Sequence, residues 1–343
     1  MKISVLGIDL AKNVFQLHSL NEHDKTVFSK RVHRTTLLRT VQQISPCLIA
    51  MEACGGAHYW ARQFIAMGHI VKLISPQFVK PYVKSNKNDH NDAVAICEAA
   101  TRPSMRFVPV KSIQQQDIQL LHKVRSKLIK DKVALGNQMR GLLMEYGIIM
   151  PQGDTSLRKT LVDLCYINSN SDLTSHAHLI FKELYEEFVK LERQLDMYTR
   201  RLSLIAKHDE QCQALMSIPS IKEITATALI SSVRDFNSFK NGRDLSAWVG
   251  LVPKHKASGQ KKILLRISKR GDSYLRRLLV HGARAVVSQV KDKADRISIW
   301  IRGCLSRIGF NKTVVALANK NTRIAWAIIA KGQAYETNYA HVY

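Results

Sequence analysis

Two aspartates lie three residues apart in the stretch NKNDHNDAVAICEAA, residues 86–100, of a chain that is otherwise strongly basic. If the stretch is helical, Asp89 and Asp92 project from one face with their Cβ atoms about 5–6 Å apart. The carboxylates then repel each other unless a cation or a partner lies between them. Acids are also common in the first turn of a helix because the helix dipole favours them there. This stretch alone leaves both interpretations open.

Two further acids follow short apolar runs that predict strands. Asp9 comes directly after ISVLGI and Glu52 directly after LIAM. An acid at a strand end is usually a cap or a solvated terminus. If the two strands are neighbours in one sheet, however, both acids point to one place, which a helix carrying Asp89 and Asp92 can cover. Four clustered carboxylates need cations. Such hard oxygen ligands favour Mg²⁺, with Mn²⁺ as the alternative, and a pair of ions clamps both reacting oxygens of a phosphodiester.

The elements that would position these acids form a mixed α/β domain in the first 80 residues. Apolar and β-branched segments predict strands in KISVLGIDLA, VFQLHSL, TVFSKRV, CLIAMEA and HIVKLIS. Apolar spacings of three and four in GGAHYWARQFIAMG predict a helix that ends at Gly68. Three leading strands followed by a strand, a helix and a strand are typical of an α/β fold.

Long helices are predicted beyond this domain. One apolar stripe consists of Ile113, Leu120, Val124, Leu128, Leu135 and Leu142. A more regular seam consists of Phe181, Leu184, Phe188, Leu191, Leu195, Tyr198, Leu202 and Ile205. The seam predicts a coiled coil, which either dimerises two chains or pairs the two helices antiparallel within one chain. The turn-forming residues between the helices predict a loop or a small excursion.

A second compact domain is predicted from Glu210 onward. The segment ALMSIPSIKEITATALISSV resembles a helix-hairpin-helix, a motif that contacts the DNA backbone, although Ser220 and Lys222 replace its usual glycines. Many Lys and Arg residues and a single acid, Asp272, lie between Lys254 and Arg284. Such a density is typical of a surface that contacts phosphates. The helix-rich tail that follows carries no evident chemistry.

The composition narrows the class of protein. Lys and Arg number 52 against 27 Asp and Glu, a net charge of +25, which favours a polyanionic partner because phosphate binding releases counterions. No apolar stretch is long enough to span a membrane and MKISVLGIDL lacks a signal-peptide layout, so we expect a cytoplasmic, nucleoid-associated bacterial protein. The six cysteines show no CxxC pattern and predict neither a zinc site nor a disulfide framework.

Candidate contacts to nucleic acid are basic residues near the acids and in the C-terminal segment. They are Lys84, Lys87, Lys254, Lys256, Lys261, Lys262, Arg266, Lys269, Arg270, Arg276 and Arg277. A second group on the first long helix comprises Lys123, Arg125, Lys127, Lys130 and Lys132. An ordinary solvated helix face would carry the same residues as this second group.

Three acidic motifs in fixed order resemble a known family. GID at 7–9, MEA at 51–53 and KNDHNDA at 87–93 resemble the Asp-Glu-Asp-Asp (DEDD) domain of insertion-sequence transposases, whose fold is similar to the RuvC Holliday-junction resolvase. GLVPKHKASGQKKILLRISKRGDSYLRRLL resembles the second hallmark of the same transposases, those of insertion-sequence family 110 and its 1111 branch, including Piv-type invertases. The resemblance covers nearly the whole chain, and only the ordered set of motifs is specific.

The resemblance implies a fold and a set of domains. We expect an α/β RNase H-like (RuvC-like) domain at 1–110, a helical coiled-coil linker and dimerisation region at 111–208, and a mainly α C-terminal transposase domain at 209–343.

The resemblance also implies a mechanism. Asp9, Glu52, Asp89 and Asp92 would bind Mg²⁺, and Ser258 would attack the phosphodiester to form a phosphoserine link to DNA. Without the resemblance, Ser258 would be interpreted as a loop residue beside a turn glycine. Nearby lysines would hold the phosphate, whereas His255 would contact phosphate or have no role. A structured bridge RNA would pair with donor and target DNA, which fits a chain without a zinc finger or basic zipper.

A divided site and several strand cuts predict a homodimer that assembles into a tetramer on paired DNA ends. Two alternatives remain at this stage. One is a RuvC-like structure-specific endonuclease that hydrolyses DNA with metal-bound water. The other is a basic nucleic-acid scaffold without activity, which the presence of all four acids and Ser258 disfavours.

Overall fold

The computed structural model describes residues 2–84, 86, 88–167, 173–233, 235–258, 261–291 and 293–336, and for residues 167, 256–258, 261 and 262 it describes the backbone alone. The chain divides into two compact units, Met1–Ser112 and Ile113–Tyr343. Each unit has its own hydrophobic core.

The first unit is a mixed β-sheet with helices on both faces. Its strands are β1 Val5–Asp9, β2 Val14–Leu20, β3 Thr26–His33, β4 Leu48–Glu52, β5 Ile70–Ile74 and β6 Phe107–Val108. Its helices are α1 Arg34–Gln42, α2 Ala57–Ala66, α3 Pro76–Val79 and α4 Asp89–Ala100. The five predicted strands and the predicted helix at α2 are confirmed, whereas α1 and β6 were not predicted.

The strands lie in the order β3-β2-β1-β4-β5-β6. Strands β1, β2 and β3 pair antiparallel, β1, β4 and β5 pair parallel, and β6 is antiparallel to β5. The predicted α/β class is therefore confirmed. An antiparallel half joined to a parallel half through β1 is consistent with the expected RNase H-like domain.

The side chains of β1 alternate between two hydrophobic cores, one on each face of the sheet. Leu6 and Ile8 of β1 pack with Phe64 of α2 on one face of the sheet. Successive side chains of a strand point to opposite faces, so Gly7 and Asp9 lie on the other face. This second face is covered by α4.

Helix α4 lies in direct contact with β1. A Cβ atom built on Gly7 would lie 2.6 Å from both the carbonyl oxygen of Ala93 and the Sγ of Cys97. No side chain fits there. Asn88 caps the helix, because its Oδ1 accepts the N–H of Asn91 at 2.8 Å. The predicted helical start at Asp89 is therefore confirmed.

The second unit is mainly helical. Its helices are α5 Ile113–Met144, α6 Asp154–Val162, α7 Ser175–His208, α8 Glu210–Met216, α9 Glu223–Ser232, α10 Gly242–Val249, α11 Ser273–Ser288, α12 Arg296–Ile308 and α13 Phe310–Lys331. A two-stranded antiparallel hairpin, β7 Pro253–Ser258 and β8 Lys261–Ile267, lies between α10 and α11. The sequence did not predict this hairpin.

Helices α5 and α7 form an antiparallel pair within the unit. Arg125 donates from Nε to the Oγ1 of Thr199 at 2.9 Å. Further along α5, a Cβ atom on Gly136 would lie 3.6 Å from the ring of Phe188. The seam of α7 thus takes part in an intramolecular pair. A coiled coil between chains is not confirmed and stays a prediction.

The stripe predicted for α5 is partly wrong. Ile113, Leu120 and Leu142 are 61%, 59% and 40% exposed. The buried positions of this helix are His122, Leu128, Gly136, Met139 and Leu143. A straight helix drifts by about 20° per heptad, so residues spaced by seven leave the contact face. His122 and Gly136 lie in the contact, and neither carries an apolar signal.

The segment between the two long helices is not only a loop, because it contains α6, whose Leu157 and Leu161 are buried.

The predicted junction between α8 and α9 is confirmed. Ser220 in this junction takes the left-handed conformation that glycine would favour, with φ of 90°. Asn321 holds this turn by donating from Nδ2 to the carbonyl of Pro219 at 2.8 Å and to the Oγ of Ser220 at 2.7 Å.

We expect Gly7→Ala to destabilise the first unit by about 2 kcal/mol, because the added methyl overlaps backbone and sulfur atoms of α4. Urea unfolding of the full chain measures the change. Gly55→Ala is the matched control, since a Cβ there meets nothing within 4 Å. Equal stability of the two variants would contradict the close contact between β1 and α4.

We expect His122 to make the second unit sensitive to acid. Burial, with a smaller effect of Arg125, lowers its pKa from 6.5 to about 4. Its Nδ1 lies 2.9 Å from the Tyr274 hydroxyl and its Nε2 lies 3.1 Å from the Thr227 Oγ1. A lowered folded-state pKa favours the neutral ring. Its contribution is therefore complete above pH 6.5 and is lost as the pH falls towards 4, by about 3 kcal/mol in total.

The measurement is urea unfolding between pH 7.5 and 4 for the wild type and for His122→Gln. The variant should lose less stability over this range, because its side chain does not titrate. Parallel curves would show that His122 does not govern the acid sensitivity.

Candidate catalytic site and nucleic-acid surface

Asp9 and Glu52 end two adjacent parallel strands. Ile8 of β1 lies in register with Met51 of β4, so the two acids follow in the same row. Adjacent strands lie about 4.8 Å apart, and alternation places both acids on the face that α4 covers. The Cys54 thiol lies close to both, since burial first, then the charges of Glu52 and Asp9, raise its pKa.

The first turn of α4 lies towards the same end of the sheet. Asp89 forms an ion pair with Arg31 of β3 at 3.9 Å. Arg31 lies in register with Gln16 of β2, and Gln16 with Asp9 of β1. The helix therefore runs antiparallel to β1 and begins near the strand end that carries Asp9. Asp92 lies in the same first turn.

Two histidines, the buried His18 and the exposed His90, lie where α4 contacts the sheet. The ring of His90 lies 5.8 Å from that of His18 on β2. His90 Nδ1 lies 3.0 Å from the Oγ of Ser29 on β3. Burial and, to a lesser extent, His90 lower the pKa of His18. These neighbours fix the first turn of α4 against β2 and β3.

The four acids share one face and one end of the sheet, yet their side chains are not gathered into a cage. Within the part of the chain that the structure describes, no three His, Cys, Asp or Glu side chains lie close enough to hold a metal ion. Asp89 is directed towards Arg31, two strands away from Asp9. The donor set itself, four carboxylates, fits Mg²⁺ or Mn²⁺.

Lys84 is paired with the second half of α4, away from the first turn that carries Asp89 and Asp92. Its Nζ lies 2.9 Å from Glu98, while its side chain is 77% exposed. The hydrogen bond from Lys84 is the main cause of the lowered pKa of Glu98. An exposed pair of this kind contributes little energy, so the ammonium remains able to contact a phosphate. Lys87 lies outside the described residues.

Ser258 lies at the tip of the β7–β8 hairpin. It is the last residue of β7, and its backbone pairs with Lys261, the first residue of β8. Lys256 and Lys262 lie on the same hairpin. The expectation of a plain loop at this position, made without the family resemblance, is wrong.

The basic residues around the hairpin fall into two groups. Lys254, Arg266, Lys269 and Arg270, together with His255, are exposed. Arg276 is different, because its Nη1 donates to the carbonyls of Val249 at 2.9 Å and of Arg270 at 2.8 Å. Arg277 is exposed and lies over the Tyr274 ring at 5.3 Å.

The basic residues of α5 also divide by their contacts. Lys132 is 13% exposed and pairs with Asp154 at 2.6 Å. Arg125 donates to Thr199 on α7. Both side chains hold helices of this unit together. Lys123 and Lys130 are exposed, and Lys127 pairs with Asp131 on its own helix.

Sequence reasoning missed Gln16, His18, Ser29 and Arg31. Each lies on β2 or β3 on the face that carries Asp9, as the register shows. Alternation along the two antiparallel strands would have indicated that face, had their register been known.

No helix among the described residues is long and apolar enough to cross a membrane.

Comparison with known proteins covers both units. A model described as Transposase IS116/IS110/IS902 family matches residues 212–297. A DEDD model of the IS110 type, described as Transposase, matches residues 6–148.

Individual relatives match the chain along nearly its whole length. A probable family 20 transposase of Pseudomonas aeruginosa is 44% identical over 98% of this chain and 99% of its own. The transposase for insertion sequence element IS1111A of Coxiella burnetii is 45% identical over 97% and 91%. The transposase for insertion sequence element IS1328 of Yersinia enterocolitica is 40% identical over 97% and 98%.

Proposed function

The chain belongs to the IS116/IS110/IS902 family of transposases, the DNA-cutting and rejoining enzymes of insertion sequences, and on this premise we propose how its two units divide the chemistry. Asp9, Glu52, Asp89 and Asp92 of the first unit would hold divalent ions, which would neutralise charge on the scissile phosphate. Ser258 of the second unit is the nucleophile. Both groups act on the same phosphodiester, whether one chain or two chains of a homodimer supply them.

The metal-binding role of the acids is carried by one observation, the parallel register of β1 and β4. It sets Asp9 beside Glu52 on the face covered by α4. A DEDD domain also suggests the use of divalent ions in general. Mg²⁺ bound there would supply charge neutralisation at the phosphate. For this, Asp89 has to exchange its exposed contact with Arg31 for the ion, a change that costs little.

The serine role is supported by the position of Ser258 at a hairpin tip among lysines. In the proposed step the Ser258 hydroxyl loses its proton as its Oγ forms a bond to phosphorus, the bond to one deoxyribose oxygen breaks, and that oxygen takes up a proton. The lysines bind the phosphate oxygens and stabilise the negative charge that develops. The reverse step, with a different deoxyribose oxygen as nucleophile, rejoins the DNA and frees the serine.

We also propose that a structured guide RNA selects the donor and target DNA. The net charge of +25 is ample for contacts to nucleic-acid backbones. Such contacts position a nucleic acid but carry no sequence information. Base pairing with a guide would provide that information, and two dimers on paired DNA ends would provide one active site per strand cut.

We expect Ser258→Ala to abolish both strand cleavage and the covalent protein–DNA adduct. A denaturing gel with labelled element-end DNA and guide RNA measures both. Ser288→Ala, at the end of α11, is the control and should react normally, because its hydroxyl bonds the Ala285 carbonyl of its own helix. Undiminished cleavage by Ser258→Ala, with free DNA ends, would instead identify a hydrolytic RuvC-like nuclease.

We expect Asp9→Asn to lower the cleavage rate by about 100-fold or more while DNA binding is retained, because the amide keeps the shape but not the charge that binds a cation. Cleavage assays and gel shifts over a series of Mg²⁺ and Mn²⁺ concentrations measure the two effects. Asp24→Asn is the control, since it lies in the β2–β3 turn with φ of 57°, which asparagine tolerates. Wild-type cleavage by Asp9→Asn would rule out the carboxylate site.

A further inference from the structure

The two ends of the β7–β8 hairpin are joined where they meet the helices. Gly250 leads from α10 into β7, and residues 268–271 lead from β8 into α11. The carbonyl of Val252 accepts the N–H of Ser268 at 2.8 Å, and that of Gly250 accepts the N–H of Lys269 at 3.1 Å. The hydrogen bonds between the two sides therefore continue beyond the strands to the base of the hairpin.

At this base the two backbones touch without intervening side chains. A Cβ atom on Gly250 would lie 2.2 Å from the carbonyl oxygen of Arg270, and one on Gly271 would lie 2.0 Å from that of Trp248. Both glycines also have positive φ angles, 83° and 72°. Lys269 between them has φ of 54°. Only glycine satisfies both the contacts and the angles at the two positions.

Arg276 ties the two sides together. Its Nη1 donates to the carbonyl of Val249, before β7, and to the carbonyl of Arg270, after β8. The first turn of α11 carries Arg276 and is capped by Asp272, which accepts the N–H of Tyr274 at 2.7 Å. We call the set formed by Gly250, Arg270, Gly271 and Arg276 the clasp.

The side chains that the structure describes on the hairpin beyond the clasp give it little other support. Ile263, Leu264 and Leu265 are 55%, 65% and 47% exposed, so packing along β8 does not fix its direction. A two-stranded hairpin is only marginally stable by itself. Its orientation must therefore be set at the base.

A small change in the angle of the hairpin at its base produces a large displacement of Ser258 at its tip. Ser258 lies six residues beyond Val252, where the paired part of the hairpin begins, about 20 Å along an extended strand. A tilt of about 5° at the base would move the tip by about 2 Å. Displacing a reacting group by about 1 Å can lower a rate by about 100-fold.

We propose that the clasp is a positioning device in which Arg276 aims the nucleophile-bearing hairpin instead of binding phosphate. Arg276 acts through the backbone carbonyls of Val249 and Arg270. This inference rests on the proposed role of Ser258.

Replacing Arg276 by lysine separates the two roles, because lysine keeps the positive charge but lacks the rigid planar guanidinium. In Arg276→Lys, the single-turnover cleavage rate at saturating DNA should fall by about 10- to 100-fold. The Kd for DNA and its dependence on salt should not change. Arg302→Lys on α12 is the matched control and should keep the wild-type rate, because Arg302 also donates from Nη1 to two backbone carbonyls, those of Lys291 at 3.0 Å and Lys293 at 2.6 Å.

Hydrogen exchange tests the clasp without DNA. The amides of Ser268 and Lys269 should exchange faster in Arg276→Lys than in the wild type, while those in the middle of α13 should not. This pattern distinguishes an opened clasp from global destabilisation.

A wild-type cleavage rate in Arg276→Lys would overturn the proposal. So would a loss that appears in the Kd and its salt dependence, or unchanged exchange at Ser268 and Lys269. If Ser258→Ala cleaves normally, the proposed nucleophile fails instead. Failure of the proposed nucleophile can be distinguished from failure of the clasp, because hydrogen exchange at Ser268 and Lys269 tests the clasp whether or not Ser258 is the nucleophile.

Discussion

Helix α4 and strand β1 approach so closely at Gly7 that only a hydrogen atom fits between them. The contact sets the depth of the helix, and the bond from the Cys97 thiol to the carbonyl of His18, at 3.2 Å, joins it to the next strand. Since Ala93 and Cys97 lie over Gly7, the first turn lies over the strand end that carries Asp9. The proposed metal chemistry depends on this placement, because a larger residue at position 7 would lift Asp89 and Asp92 away from the sheet.

Much of the first unit could be predicted because its strands carry a local signal. Apolar runs ending in an acid marked β1 and β4, and each acid sits where the run predicted. Their adjacency could not be derived from local pattern, since strand order is a tertiary property. The contact of Asp89 with Arg31 was equally beyond reach. This contact depends on the register of β2 against β3, which cannot be predicted from the residues of either strand alone.

The second unit was harder to predict for physical reasons that particular residues show. His122 and Gly136 form part of the contact face of α5, but one is polar and the other has no side chain. The β7–β8 hairpin exposes Ile263, Leu264 and Leu265 in succession, so it lacks the alternation that marks a strand with one buried face. Ser258 thus looked like a loop residue although its backbone continues a strand.

Two strained residues in the second unit point to the same physical requirement. Ser220 and Lys269 both adopt positive φ, a conformation that costs a side-chain-bearing residue about 1 kcal/mol. Such strain persists only where the surroundings over-determine the backbone. At Ser220 they do so through Asn321 and through Gly282, where a Cβ would lie 2.1 Å from the Ser220 carbonyl. At Lys269 they do so through the bond to Gly250 within the clasp. In both turns the backbone is locally strained, and the surrounding contacts fix the angle between the elements that the turn joins. A fixed angle is what a reactive group at the tip of a long hairpin requires.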